Sequence, residues 1–157
     1  MTQFLLLLIL SLSLVAITKT DTNDTDSHCD GKSVTLDQFQ WENRVLLIFA
    51  EDSDSDMYQA QIDSLHSHRE GLIDRDLVIF SIFDQECSTL DGDVIDDTSA
   101  ERILSDFSDQ KETYSVFLIG KDGGVKLQKN QLLSVDELFN TIDRMPMRQR
   151  EMRDGGK

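Results

Sequence analysis

Cys29 and Cys87 are the only thiols in the chain, and they decide which redox chemistry is open to it. A nucleophilic thiol needs a depressed pKa, usually supplied by a helix N-terminus and by a partner cysteine two residues away. The chain has a strand-to-helix junction of that kind where Arg44 to Ala50 runs into Glu51-Asp52-Ser53-Asp54-Ser55-Asp56, but carboxylates fill it and no cysteine is present. Those charges would raise the pKa of a nearby thiol, so dithiol exchange is disfavoured there. Cys87 lies after Glu86 and beyond a second apolar run, and it is the one candidate for a single-thiol reductase. The competing reading is a structural disulfide between Cys29 and Cys87, which the even count permits in an oxidising compartment.

The same acidic junction invites a metal reading. Asp52, Asp54, Asp56 and Asp63 occupy positions 1, 3, 5 and 12 of a calcium-loop template. Met57 stands where that loop requires glycine, and Asp63 replaces the bidentate glutamate. Residues 57–63 also read as helix, which would pull the carboxylates apart. Asp52, Asp54 and Asp56 are therefore weak metal candidates, better explained as acidic residues favoured by a helix dipole. His66 and His68 are two apart and point to different faces of a helix, so they make a poor ligand pair. No nucleophile elbow, phosphate loop or HExxH pattern is present, and no cofactor is expected.

Charge bounds the partners. Fifteen Lys and Arg against 30 Asp and Glu give a net charge of −15 over 157 residues, which repels nucleic acid and anionic membranes. The sign reverses locally: after residue 143, Arg144, Arg148, Arg150, Arg153 and Lys157 face only Glu151 and Asp154. These arginines are the binding candidates, and the alternative is a solvated last helix.

The elements that must position these residues follow from periodicity. Phe4 to Ile17 is an apolar run of about 14 residues, too short for the roughly 20 of a membrane span, so residues 1–20 read as a signal peptide. Residues 21–33 are polar and read as a disordered linker, with a formal glycosylation sequon at Asn23. One domain is expected over residues 34–153, with residues 154–157 as a disordered tail. Thr35 caps a short helical turn before the strand Val45 to Phe49. Tyr58, Ile62 and Leu65 give an amphipathic helix over residues 55–70, stopped by Gly71. Leu77 to Phe83 is a second buried strand, so a right-handed βαβ unit with parallel strands follows. An acidic loop, Asp84 to Asp97, precedes a helix started by Thr98 and Glu101. Tyr114 to Ile119 and Val125 to Leu127 make an antiparallel hairpin across Lys121-Asp122-Gly123-Gly124. Ser134 and Glu137 cap a final helix that Pro146 ends or kinks, with Met147 to Arg153 as a basic extension. The order βαβ then αββα is the thioredoxin-like α/β arrangement, a mixed four-stranded sheet with helices on both faces.

Several stretches also carry a family likeness: Leu36 to Trp41, Arg44 to Ala50, Arg75 to Val78, Leu118 to Leu127, and Ile142 to Arg153. Gly-Lys-Asp-Gly-Gly at 120–124 and Asp-Arg-Met-Pro-Met-Arg at 143–148 are the most specific. In these the chain resembles the domain-of-unknown-function family 4174, found as small exported bacterial proteins and within sushi-repeat-containing extracellular proteins. The resemblance implies a thioredoxin-like fold and an adhesive or matrix-associated setting. It brings no catalytic residues. The expectation is an exported, periplasmic or secreted binding module that engages a protein or extracellular macromolecule. The alternative is a divergent peroxiredoxin-like reductase using Cys87.

Overall fold

The computed structural model describes residues 28–155; the signal-peptide expectation, the Asn23 sequon and the end of the tail lie outside them. A short 3-10 helix (Leu36–Phe39) leads into β1 (Arg44–Ala50), then α1 (Asp56–His66), α2 (Arg69–Ile73) and β2 (Leu77–Phe83). Two short strands, β3 (Thr89–Leu90) and β4 (Asp93–Val94), precede α3 (Asp97–Phe107). The chain continues through β5 (Ser115–Ile119), β6 (Val125–Lys129), α4 (Val135–Asp143) and α5 (Pro146–Asp154).

The sheet order is β4-β3-β2-β1-β5-β6, with β1 parallel to β2 and antiparallel to β5. The four strands read from sequence form its centre and one edge. The expected count was short by two, because the acidic loop hides a hairpin turned by Asp91 (φ 49°) and Gly92 (φ 91°). Both turn residues have positive φ, the conformation that makes Asp-Gly a hairpin signal.

Every residue of β1 is buried, and alternation divides them between two cores. Leu46 and Ile48 face α1, α2 and α4 with Leu65, Leu72, Leu138 and Ile142. Val45, Leu47 and Phe49 face α3 with Phe80, Ile103, Phe107 and Phe117. Phe49, Phe107 and Phe117 pack with centroids 4.9–5.8 Å apart, a spacing that favours edge-on aromatic contact.

Four expectations about boundaries need correction. Residues 28–33 belong to the fold: Lys32 N–H donates to Val94 O at 2.9 Å, Asp96 N–H donates to Lys32 O at 3.2 Å, and Cys29 is buried. Backbone and disulfide, not apolar side chains, hold that segment, and a Cβ at Gly31 would collide with Val94 O. The helix over 55–70 breaks after His66, where the Ser67 hydroxyl donates to Asp63 O at 2.8 Å and His68 Nδ1 lies 2.8 Å from Ser64 O. Gly71 then sits inside α2, where a Cβ would fall 2.7 Å from the Phe139 ring. α3 starts earlier than Thr98, because Asp96 Oδ1 accepts from Ser99 N–H at 2.8 Å and caps it. α5 runs to Asp154, with Pro146 starting this new helix and not merely ending α4. Among the described residues, no helix is long and apolar enough to cross a membrane.

Candidate functional site: two poles of one sheet

The parallel strands β1 and β2 end at one pole, and the acidic junction lies there. Gln85 Nε2 donates to Glu51 Oε1 at 2.9 Å, and Ser53 N–H donates to the Glu86 carboxylate. Asp52 Oδ1 accepts from Asp54 N–H at 3.1 Å, so it serves its own turn. Asp54 is exposed, and Asp56 opens α1. Among the described residues, no group of three or more His, Cys, Asp or Glu side chains could hold a metal ion. The structure therefore does not assemble Asp52, Asp54 and Asp56 into a ligand set, because the start of α1 separates them.

Cys87 also sits at this pole, and it is bonded to Cys29 with a Cα–Cα distance of 5.6 Å. The described chain holds no free cysteine. Asp97 Oδ2 accepts from Cys29 N–H at 3.0 Å and pairs with His28 Nδ1 at 2.9 Å, which ties the N-terminal segment to α3. The cleft beside the disulfide, of about 240 Å³, is lined by Asp84, Glu86, Asp97 and Glu101, a setting hostile to a thiolate. The two buried phenols supply no base. Burial pushes Tyr114 up to about 12, and it raises Tyr58 against a hydrogen bond to Ser81, with Glu86 adding to the rise.

The opposite pole gathers the sequence stretches that carried the family likeness. Arg44 opens β1 with no exposed surface, an expensive place for a charge unless it is fully partnered. Its Nη1 donates to Arg75 O at 2.9 Å, and its Nη2 donates to both carboxylate oxygens of Glu151 at 3.2 Å. Glu151 also takes Lys121 Nζ at 2.9 Å, and Lys121 reaches Asp76 at 2.7 Å. Burial alone would raise the Glu151 pKa, but Lys121 and Arg44 outweigh it and hold the carboxyl below its usual range. Arg148 donates to Asp74 O at 2.6 Å, pairs with the Asp74 carboxylate, and reaches Asp143 at 3.4 Å. Arg75 completes the ring, bound to Asp143 at 2.6 Å with its guanidinium 4.1 Å over the Phe139 ring.

This network clamps α5 to the sheet, and it changes the list of binding candidates. Arg148 is buried and spent on structure. Arg144, Arg150 and Arg153 are exposed and make no ion pair among the described residues. Sequence reasoning missed two neighbours. Trp41 is 62% exposed with φ 72°, a left-handed conformation that is a genuine outlier for a bulky residue. Its N–H donates to Lys121 O at 2.6 Å. Beside Lys121 lies a notch of about 120 Å³, lined by Arg44, Gly120, Asp122, Lys126 and the run Met145–Met147. The tryptophan was visible in the sequence, but its backbone conformation was not.

Sheet order, crossover and helix layers define a thioredoxin-fold domain. The reduced 2-Cys peroxiredoxin of Plasmodium vivax shares this fold, with a TM-score of 0.52 and 17% identity over 74% of this chain and 84% of that one. The mitochondrial 2-Cys peroxiredoxin of Plasmodium falciparum gives 0.49 and 15% identity over 79% of this chain and 85% of that one. No curated protein matches the chain. The chain belongs to the family described as Domain of unknown function (DUF4174), whose model matches residues 35–151.

Proposed function

We infer that this is an exported, non-catalytic binding module on a thioredoxin scaffold, acting on a protein or other extracellular macromolecule. One observation carries the reading: the junction after β1 holds carboxylates and no thiol, while the two cysteines are bonded to each other. A disulfide at an acidic pole fits a stapled scaffold better than a reactive centre, since thiolate formation needs positive surroundings. The apolar run Phe4 to Ile17 and the disulfide both fit an oxidising, exported setting, periplasmic or secreted. The net charge argues against nucleic acid and anionic membrane surfaces as partners. The outer face of α5, with Arg144, Arg150 and Arg153, is the contact surface we favour.

Intact mass after alkylation in denaturant, with and without reductant, tests this directly. The expected result is no alkylation before reduction, two labels after it, and no peroxide consumption by the reduced protein. Peroxide-dependent oxidation of Cys87 by a low-pKa thiolate would replace this reading with the reductase.

A further inference from the structure

We propose that the outer edge of β2 at Leu77 is a docking site for the free C-terminus of an extended peptide ending in a large apolar residue, a proposal that rests on the binding-module reading. The register shows an open backbone pair there. Arg44 N–H donates to Asp76 O at 2.8 Å, so Asp76 faces β1. Ile79 faces the other way: Asp91 N–H donates to Ile79 O at 2.8 Å, and Asp91 Oδ1 accepts from Ile79 N–H at 2.8 Å. Successive residues of a strand alternate in direction, so Leu77, like Ile79, turns its N–H and C=O outward. β3 pairs only with Phe80 and Ser81 and does not reach Leu77. One donor and one acceptor on a single residue are the complement of one residue of an added strand.

A pocket lies beside this edge, about 390 Å³ in volume and within the range of ligand sites. Ile62, Leu72, Ile73 and Ile79 line it, and Ile73 is 63% exposed. Directly opposed residues of an antiparallel pair send their side chains to the same face, and Leu77 faces the core under α1 and α2. A residue paired with Leu77 therefore directs its side chain into this pocket. Charge fixes the direction of the added strand. Tyr58 donates to Ser81 Oγ at 2.9 Å, which sets the start of α1 beside the middle of β2. From Tyr58 to His66 the helix rises about 12 Å, and from Ser81 back to Leu77 the strand covers about 13 Å, so the His66 end of α1 is level with Leu77. His66 and Arg69 line the pocket, are exposed, and make no ion pair among the described residues. Asp63 and Glu70, their acidic neighbours in sequence, do not line it. Asp91, the one carboxylate that does, is bound to Ile79, about 7 Å further along β2. A peptide antiparallel to β2 brings its backbone past Asp91 and its terminal carboxylate to Leu77 N–H and Arg69.

The probe is acetyl-Ala-Ala-Phe with a free carboxylate, titrated into the isotope-labelled full chain and followed by amide resonances. Saturable shifts centred on Leu77, with slowed exchange of the Leu77 amide, are expected. Replacing the terminal phenylalanine by glycine should weaken binding about tenfold or more, as burial of one large apolar side chain implies. The C-terminal amide of the probe, and Arg69→Gln with an unchanged thermal transition, should each weaken it several-fold. N-methylation of the terminal residue removes the donor to Leu77 O and should weaken it to a similar degree. No shift at millimolar probe, equal binding of the amide or of the N-methylated peptide, or equal binding of 3-phenylpropionate, which has no peptide N–H, would each overturn the proposal. Those outcomes leave the thiols unreactive, so they remove this edge without touching the binding-module reading, which fails only on a reactive Cys87.

Discussion

Glu151→Gln tests whether an ion network, and not apolar packing, holds the last helix. Among the described residues, Glu151 is the only carboxylate that meets the fully buried Arg44 guanidinium, and the same group neutralises Lys121. The substitution keeps the shape and one acceptor oxygen but removes the charge, leaving the buried Arg44 guanidinium with neutral acceptors and no countercharge. Removing one partner of a buried pair costs about 3–5 kcal/mol. The Glu151 side chain is 27% exposed, so the lower end, about 3 kcal/mol, applies. For a domain of this size that lowers the thermal midpoint by roughly 10 °C. The assay is paired calorimetric and circular-dichroism melts of wild type, Glu151→Gln and the exposed control Arg144→Gln, which should fall within about 0.5 kcal/mol of wild type. The double variant Arg44→Met, Glu151→Leu should recover much of the loss, because apolar isosteres avoid the desolvation cost of the pair. A midpoint shift below about 2 °C for Glu151→Gln would refute the account, since it lies far under the penalty of an uncompensated buried charge.

Three further outcomes follow from the same geometry. Glu151 has a folded-state pKa below the ordinary 4.5, so its contribution is complete above 4.5 and is lost as pH falls from there through the lowered folded-state value. Urea midpoints between about pH 5 and pH 3 should therefore decline less steeply in Glu151→Gln than in wild type, and parallel declines would contradict this. Reduction of the disulfide, which spans 58 residues, should lower the unfolding free energy by about 4 kcal/mol in the chain-entropy model; a urea-measured loss under about 1 kcal/mol would mean the N-terminal segment needs no staple. Trp41→Gly should stabilise the fold by about 0.5–1 kcal/mol by relieving the left-handed backbone, and a lower thermal midpoint would show that the indole packs better than its exposure implies.

Local signals were read well where one segment decides its own structure. Ser134 accepts from Glu137 N–H at 3.2 Å as its spacing implied, and the strand runs at 44–50 and 77–83 are the parallel pair they read as. The Asp91-Gly92 hairpin was equally legible, but the surrounding carboxylates drew it into a loop. The helix break at Ser67–His68 was harder to see, because it depends on side chains competing for the carbonyls of Asp63 and Ser64 against a continuing apolar period.

The sequence by itself determined the layered α/β core, the absence of a thiol at the β1 junction and the two cysteines available to pair, since these rest on residue type and local period. Only the tertiary structure decided what the charges do. Arg148 reads as one of four equivalent arginines in a basic tail, yet the fold brings it to Asp74, 74 residues away, and buries it. Arg144, Arg150 and Arg153 stay in water, and Trp41 is set beside Lys121 at a cost in backbone strain. A charge in sequence carries no record of its future dielectric or partners. Those come from elements folded together across the chain, and they separate an arginine that holds a helix from one left free to bind.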